Sequence, residues 1–316
     1  MAAVLIRPYR GQDEPALLDV WNRTLTHDPV DAAAFRTRVL LDLNFRPEGL
    51  LVAEVDNRIA GFLLSITRQV PLFLQGLEPE KAWITAFGVH PDYRRRGIAT
   101  QLFEAALANL KPRQVLISPY TPNYFIPGVD INAYPEAVAF LQAAGWDTVS
   151  TPISMQADLT AFQVPAAITE LQARLAKEQD IHISPVASAD IPGLMDFICR
   201  HFGWDWVRAA QEYLLTLFGT GSDEITFLVA RQGERIVGYC QQRRERFGPF
   251  GVDPALRSQG IGRVLLFHCL AAQRARGFHC AWFLWTGPDA SRLYSTAGFR
   301  PVRQFAIMRF NNTQPD

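Results

Sequence analysis

The chain of 316 residues lacks the sequence features of an exported, membrane-spanning or metal-binding protein. No stretch approaches the ~18 consecutive apolar residues of a transmembrane helix. The opening residues, MAAVLIRPYR, have too short an apolar run for a secretory leader. The four cysteines show neither CxxC nor zinc-site spacing. We therefore predict a cytoplasmic protein, since isolated thiols stay reduced there, with no metal site and no membrane contact.

An excess of charge of one sign is also missing, because 31 Lys and Arg balance 31 Asp and Glu. The longest basic run is Arg94–Arg96, so the sequence predicts no nucleic-acid partner. A hydrophobic content of 48% is typical of an ordinary globular protein. The length of the chain indicates about two domains.

Two stretches of the sequence are similar, FGVHPDYRRRGIA at 87–99 and FGVDPALRSQGIG at 250–262. A second pair aligns in one register, LLVAEVDNRIAGF at 50–62 with FLVARQGERIVGY at 227–239. Chance does not supply two such pairs in the same order, so the chain is a tandem duplication.

Each copy has the same predicted order of elements: a strand, a helical region, a hairpin, the strand of the repeated motif, a helix that begins at the glycines, a further strand, and a last helix and strand. A mixed α/β fold, with helices on both faces of a sheet, is the natural packing. We predict a first domain at 1–158, a helical linker at 159–180 and a second domain at 181–316. The linker is predicted to be helical because its apolar residues have helical spacing.

The repeated motif places glycines where a strand is followed by a helix. Gly260 and Gly262 let a ligand approach the backbone, and unpaired amides at a helix N-terminus favour an anion. Arg257 adds a charge that pairs with phosphate. The loop lacks the GK[ST] of a Walker A motif and the third glycine of a dinucleotide fingerprint. A single loop of this kind is more often only a tight turn into a helix. Because both copies carry the loop with an arginine at the same place, we favour a diphosphate site.

Arg/Gln-x-x-Gly-x-Gly/Ala after a strand ending in Val-x-Pro resembles the acetyl-CoA-binding motif of the GNAT superfamily of N-acetyltransferases. Both copies match it, as RRRGIA (94–99) and RSQGIG (257–262). LYSTAGF (293–299) resembles the family's Tyr-x-x-x-Gly-Phe. The resemblance covers both copies but not the linker. It implies two tandem GNAT-like domains, each a mostly antiparallel twisted sheet flanked by helices, with acetyl-CoA as the acetyl donor.

The resemblance also implies that the motif strand and glycine loop of each copy bind acetyl-CoA. In the second copy the residues are Phe250, Val252, Arg257, Ser258, Gln259, Gly260, Ile261, Gly262 and Arg263. In the first copy they are Phe87, Val89, Arg94, Arg95, Arg96, Gly97, Ile98, Ala99 and Thr100. Backbone N–H groups of the motif strand would bind the thioester carbonyl as an oxyanion hole. The pair Gly248-Pro249 predicts a bulge beside them.

Tyr294 occupies the position that resembles the family's proton donor. A phenol can protonate a departing thiolate; alternatively, Tyr294 caps the core with its hydroxyl in water. The first copy has Leu141 at this position, which cannot donate a proton. Tyr120, Tyr124 or Tyr134 of its longer loop could substitute. We therefore expect the second domain to be the catalytic one.

Glu245 is the candidate for the general base, acting directly or through a water. The alternative is an exposed carboxylate paired with the arginines around it. The segment GWDW (203–206) lies where the resemblance places the acceptor pocket, with Asp205 between two tryptophans that line a pocket or belong to the core. His268 lies on the buried face of its helix and is predicted to be a core histidine. We assign His90 no role.

These observations favour an acetyl-CoA-dependent N-acetyltransferase that transfers the acetyl group directly to a small-molecule amine, as a monomer or homodimer. The alternative is a non-catalytic acyl-CoA-binding or regulatory protein, which Leu141 supports for the first copy and Tyr294 opposes for the second. A transferase that uses aminoacyl-tRNA is disfavoured by the neutral charge.

Overall fold

The computed structural model describes residues 3–110 and 113–311. The chain forms two compact units. Unit 1 is Met1–Pro152 with Gln304–Asp316, and unit 2 is Ile153–Arg303. The last strand of each duplicated segment therefore belongs to the unit that is built mainly from the other segment, and the predicted linker belongs to unit 2.

Unit 1 is a mixed sheet with helices on both faces, as predicted. Its strands are β1 (Val4–Pro8), β2 (Leu50–Val55), β3 (Arg58–Ile66), β4 (Lys81–Val89), β5 (Gln114–Ile117), β6 (Val129–Asp130), β7 (Asp147–Ser150) and the greater part of β14 (Arg300–Asn311). Its helices are α1 (Glu14–Thr24), α2 (Ala32–Phe35), α3 (Ile98–Leu110) and α4 (Pro135–Ala143). The sheet order is β1-β2-β3-β4-β5-β14, with β6 and β7 also paired to β14. Only the β4–β5 pair is parallel among these strands in the described part of the chain.

Unit 2 has the same strand order with a strand of the first segment at its edge. Its strands are β8 (Ile153–Asp158), β9 (Ile181–Pro185), β10 (Ile225–Gln232), β11 (Arg235–Arg243), β12 (Arg246–Val252) and β13 (Cys280–Thr286). Its helices are α5 (Ala166–Gln179), α6 (Ile191–His201), α7 (Trp204–Thr220), α8 (Ile261–Ala275) and α9 (Pro288–Ser295). The order is β9-β10-β11-β12-β13-β8, and β12 pairs with β13 in parallel.

The sheet of unit 1 separates two apolar clusters because successive strand residues point to opposite faces. Phe62 packs with Trp21 of α1 on one side, which we call the α1 face. Leu63 packs with Ile98 and Phe103 of α3 on the other, the α3 face. Strands buried on both faces read as nearly continuous apolar runs, which is why LLVAEV and RIAGFLLSI show little alternation.

Local predictions from the sequence hold at several elements. The β2–β3 turn has positive φ at Asp56 (47°) and Asn57 (59°), as a tight hairpin requires. Helix α5 lies within the predicted linker and buries Ile168 and Leu175. No helix in the described ranges has the length and apolarity needed to cross a membrane.

Candidate active site

The glycine loops of the two copies have the same backbone conformation. Arg95 (φ 61°) and Gly97 (φ 76°) of unit 1 correspond to Ser258 (φ 65°) and Gly260 (φ 97°) of unit 2. Each loop runs directly into a helix, α3 or α8. Successive N–H groups in such a turn form a concave surface for an anion, and the helix N-terminus adds its positive dipole end. Both loops therefore retain the backbone geometry of a phosphate site.

The two parallel strands β4 and β5 separate beside the loop of unit 1. Their pairing ends at Ile84 and Ile117, while β4 continues to Val89. The register with β3 shifts at this point, where Thr85 is an additional residue between two paired positions. In unit 2 the same shift occurs at Gly248-Pro249, which confirms the predicted bulge. Bulges re-aim backbone groups, so N–H groups of β4 can face the opening between the strands.

A cavity of about 480 Å³ occupies this opening in unit 1. Phe87 and Phe140, from the α3 face, and Leu25 and Phe125, from the α1 face, line it. Because the lining comes from both faces, the cavity crosses the sheet between β4 and β5. The predicted residues Phe87, Val89, Arg94, Arg95, Gly97, Ile98, Ala99 and Thr100 all line it. Its volume is within the ~300–1,000 Å³ of ligand sites.

The loop end of the cavity is basic and open. Arg94 and Arg95 line it, and the Arg94 Nε donates to the carbonyl oxygen of Val89 at 3.3 Å. A Cβ atom on Gly97 would have only the Gln101 Nε2, 4.0 Å away, as a close neighbour. Arg96 instead lies over the Tyr93 ring, 5.2 Å from its centroid, and is not among the lining residues. Two of the three predicted arginines therefore face the space where an anion would lie.

The Tyr134 side chain extends across the cavity, with its ring on the α3 face and its hydroxyl near the α1 face. It precedes α4, its ring packs on the α3 side, and its hydroxyl donates to Asp28 Oδ2 at 2.9 Å. The backbone N–H of His27 donates to the same hydroxyl at 3.1 Å. Tyr120 lies elsewhere, buried and bonded to Asn44 and Asp42. Of the three tyrosines considered from the sequence, Tyr134 is the one that lines the cavity.

Three hydroxyls at the strand opening are buried without a hydrogen-bond partner in the described chain: those of Thr24, Thr85 and Ser118. All three side chains belong to the cavity lining. An unpaired buried hydroxyl costs about 1–3 kcal/mol. Such groups persist where a ligand or water supplies the partner.

In unit 2, side chains lie against the glycine loop and the motif strand. A Cβ on Gly260 would meet Leu171 of α5 at 2.7 Å. The Phe202 ring lies directly against Gly251 of β12 and stacks on Trp206 at 4.7 Å. Phe202 follows α6 just as Leu25 follows α1, so a larger side chain occupies the position that lines the cavity of unit 1.

Tyr294 lies within an aromatic cluster in unit 2. Its ring is 4.4 Å from Phe283, 5.7 Å from Phe250 and 5.9 Å from Phe247, measured between centroids. Burial raises the pKa of Tyr294 above its ordinary value, because a buried phenolate is disfavoured. The proton-donor role of Tyr294 stays a prediction, and its surroundings weigh against it.

The other candidate site residues of the second copy do not lie together. Glu245 is exposed in the β11–β12 turn, five residues and roughly 16 Å of extended strand from Phe250. The neighbouring arginines pair with Glu224 instead. Asp205 pairs with Arg208 at 3.1 Å. His268 is half-buried against α5, as expected of a core histidine, with Gln172 Oε1 at 2.7 Å from its Nε2.

Asp28, Leu25 and Phe125 were not predicted from the sequence, because they lie in turns outside the repeated motif. One signal was available for Tyr134. Proline is favoured at the first position of a helix, so Tyr134-Pro135 indicated a helix start beside the motif. Nothing in the sequence indicated which loop residues would meet at the opening of the sheet.

Two family models match the chain. The "Acetyltransferase (GNAT) family" model matches residues 15–118, and the "Acetyltransferase (GNAT) domain" model matches residues 223–301. Together they cover more than half of the chain. No curated protein matches the sequence.

Solved structures share the fold at low sequence identity. The GCN5-related glucosamine N-acetyltransferase region of a fungal multi-domain GH3 β-N-acetylglucosaminidase has a TM-score of 0.79 at 20% identity, over 98% of this chain but only 38% of that one. A GCN5-related N-acetyltransferase from Sphaerobacter thermophilus has a TM-score of 0.70 at 17% identity, over 98% and 96% of the two chains.

A tandem GNAT protein from the clavulanic acid biosynthesis pathway has a TM-score of 0.62 at 15% identity, over 99% of this chain and 100% of that one. Such identities show a common fold alone. With the two family matches and the repeated motif, they establish the family: the chain is a member of the GNAT acetyltransferases and carries two GNAT domains in tandem.

Proposed function

We propose that the protein is an acetyl-CoA-dependent N-acetyltransferase acting on a small amine, and that its active site is the cavity of unit 1. The observation that carries the proposal is this cavity, which crosses the sheet at the β4–β5 opening and meets the glycine loop. In unit 2, Leu171 lies against Gly260 and Phe202 lies against Gly251. This assigns the chemistry to the first copy, in place of the second copy expected from the sequence.

The residues of unit 1 fit the donor molecule. The Arg94 and Arg95 guanidinium groups and the N–H groups at the start of α3 would hold the diphosphate. The backbone of β4 from Phe87 to Val89 would hold the pantetheine arm and the thioester carbonyl. When bound, the donor supplies an acetyl group activated as a thioester.

Tyr134 is the proton donor in this proposal. A bond forms between the amine nitrogen and the acetyl carbon while the carbon–sulfur bond breaks. The departing sulfur needs a proton, which a phenol can give. The hydrogen bonds with Asp28 and His27 hold the Tyr134 hydroxyl at the cavity. The nitrogen loses its proton to water and the phenolate regains one from water, so the protons balance.

The donor site can be tested with a matched pair of variants, Arg94→Gln and Arg257→Gln. Both arginines are exposed, at equivalent places in the two loops, so neither change should affect folding. Hydrogen bonds to charged groups contribute about 1.5–3 kcal/mol. We expect calorimetry to show one acetyl-CoA per chain, bound about 10–100-fold more weakly by Arg94→Gln and unchanged by Arg257→Gln.

The reverse pattern, with only Arg257→Gln losing affinity, would move the donor site to unit 2 and overturn the proposal. Equal losses of affinity in both variants, with two molecules bound per chain, would also contradict the assignment to one copy. Catalysis itself is measured by release of free thiol from acetyl-CoA with a panel of amines.

A further inference from the structure

Two residues of the cavity lining, Thr85 and Ser118, lie at the point where β4 and β5 separate. They directly follow Ile84 and Ile117, which are the last pair of the parallel ladder. The Ser118 N–H donates to the carbonyl oxygen of Ile84 at 3.0 Å, so the two strands are still bonded where they begin to diverge. Thr85 and Ser118, which we call the fork residues, are therefore neighbours at the narrow end of the opening.

The fork residues carry hydroxyls in apolar surroundings. Thr85 is 6% exposed and Ser118 is 2% exposed, and neither hydroxyl has a hydrogen-bond partner among the described residues. Ile84, Ile117 and Val129 of the same lining belong to the apolar cluster of the α3 face. In such surroundings a hydrogen bond is stronger and its absence costs more. A molecule in the cavity therefore gains affinity by offering these hydroxyls a partner.

The group that pairs with the fork residues should be uncharged. The charged residues of the described lining all lie outside β4 and β5; they are Asp28, Arg94, Arg95 and Glu136. A charged group at the fork would lose its hydration without gaining a countercharge from these strands. A hydroxyl both donates and accepts, so it matches a pair of hydroxyls.

The position of the fork assigns this group to the acceptor rather than to the donor. In the proposed donor site the diphosphate lies at the glycine loop and the pantetheine arm follows β4 from Val89 to Phe87. Thr85 lies two residues further from the loop, which is roughly 7 Å along a strand. The polar groups of pantetheine lie between the diphosphate and the thioester, and hence on the loop side of Phe87. The partner of the fork residues therefore comes from the acceptor.

We propose that the acceptor is an amino alcohol, whose hydroxyl groups pair with Thr85 and Ser118 while its nitrogen faces the thioester. The inference rests on the proposed function, because it takes the donor site of unit 1 as given. An amine without hydroxyls leaves the fork residues unpaired, and a site built for a hydroxyl discriminates against such an analogue. An open-chain amino alcohol and an amino sugar both offer this chemistry.

The acceptor comparison uses wild-type protein saturated with acetyl-CoA and measures kcat/KM from thiol release. The open-chain probes are serinol and isopropylamine, which has the same carbon skeleton without the hydroxyls. The ring probes are glucosamine and its hydroxyl-free counterpart cyclohexylamine. We expect one amino alcohol to exceed its counterpart at least about 10-fold, and the pair with the larger ratio distinguishes an open-chain acceptor from a sugar. Ratios near one in both pairs would overturn the inference, because water would then be the partner of the fork residues.

The second arm uses Thr85→Val, with Thr226→Val as the control. Valine keeps the shape of threonine and replaces its hydroxyl by a methyl group. Thr226 of β10 is also buried with an unpaired hydroxyl in the described chain, so the two variants make the same change in strands of different units. We expect Thr85→Val to reduce the ratio between the preferred amino alcohol and its counterpart about 3–10-fold. Thr226→Val should keep the wild-type ratio, and so should Thr85→Ser, which retains the hydroxyl.

The outcomes separate this inference from the proposed function. Equal losses of kcat/KM for both amines in Thr85→Val would indicate a structural role and overturn the inference. If acetyl-CoA binds in unit 1 and amines are acetylated without preference for a hydroxyl, the acceptor assignment fails and the proposed function stands. If no amine releases thiol, the proposed function fails and this inference fails with it. Should Thr85→Val not fold, the wild-type ratios decide the question.

Discussion

Tyr134 and Tyr294 differ in their surroundings, and this difference is the basis for proposing Tyr134 as the proton donor. Tyr294 matches the motif position but packs among Phe247, Phe250 and Phe283. Tyr134 lies outside the motif, yet its hydroxyl is at the cavity and bonded to Asp28. A phenol acts as a proton donor only where it can reach the reacting atom, so the contacts favour Tyr134.

The tyrosines can be compared by removing one oxygen from each. Tyr134→Phe should lower kcat by about 10²–10⁴-fold, the usual loss for a positioned acid, with acetyl-CoA affinity close to wild type. Tyr294→Phe should leave kcat within a factor of a few. The measurement is steady-state thiol release, with calorimetry for the donor. A large loss with Tyr294→Phe and none with Tyr134→Phe would return the chemistry to unit 2.

At the scale of elements, helix α5 limits the space beside the second glycine loop. It has no counterpart in the first copy and packs on α8, where Leu171 lies against Gly260 and Gln172 bonds to His268. The buried position of Leu175 fixes the helix to unit 2. A side chain added at Gly260 would therefore first displace Leu171, 2.7 Å from the added Cβ.

The α5–α8 contact predicts a pH dependence of stability. Burial lowers the pKa of His268 below its ordinary value of ~6.5. Between the two pKa values the unfolded chain binds a proton that the folded chain does not. The free energy of unfolding therefore falls as pH decreases through about 6.5. The contribution is present above this value and is lost below it.

Urea titrations at pH 8 and pH 5.5 check this for wild type and His268→Gln. Wild type should lose more stability than the variant between the two pH values. His182→Gln, which replaces an exposed histidine, should behave like wild type. An equal pH dependence in wild type and His268→Gln would show that His268 contributes nothing to it.

Periodicity and turn chemistry were enough to predict the coarse order of strands and helices in each copy. The β2–β3 hairpin and the bulge at Gly248-Pro249 both depend on residues close in sequence. Which side chains lie beside each glycine loop was not predictable in this way. Phe202 lies against Gly251, although the two residues are about fifty positions apart in the sequence. Such contacts between distant residues leave no periodic signal.

At the scale of the whole molecule, duplication has given two units with the same strand order and different interiors. Each sheet takes its first five strands from one segment and its sixth from the other, β14 in unit 1 and β8 in unit 2. The sequence predicted repeats at 1–158 and 181–316, whereas the compact units divide the chain at 152 and 303. Unit 1 has the cavity beside its glycine loop, and in unit 2 Leu171 and Phe202 lie against the equivalent motif residues.

Hydrogen exchange with and without acetyl-CoA tests most directly that the first copy holds the active site. Both loops expose N–H groups at a helix start, so each serves as the control for the other, and bound ligand slows exchange of the amides it covers. We expect peptides that cover Phe87–Thr100 to gain protection while those that cover Phe250–Arg263 stay unchanged. Protection confined to Phe250–Arg263 would contradict the account.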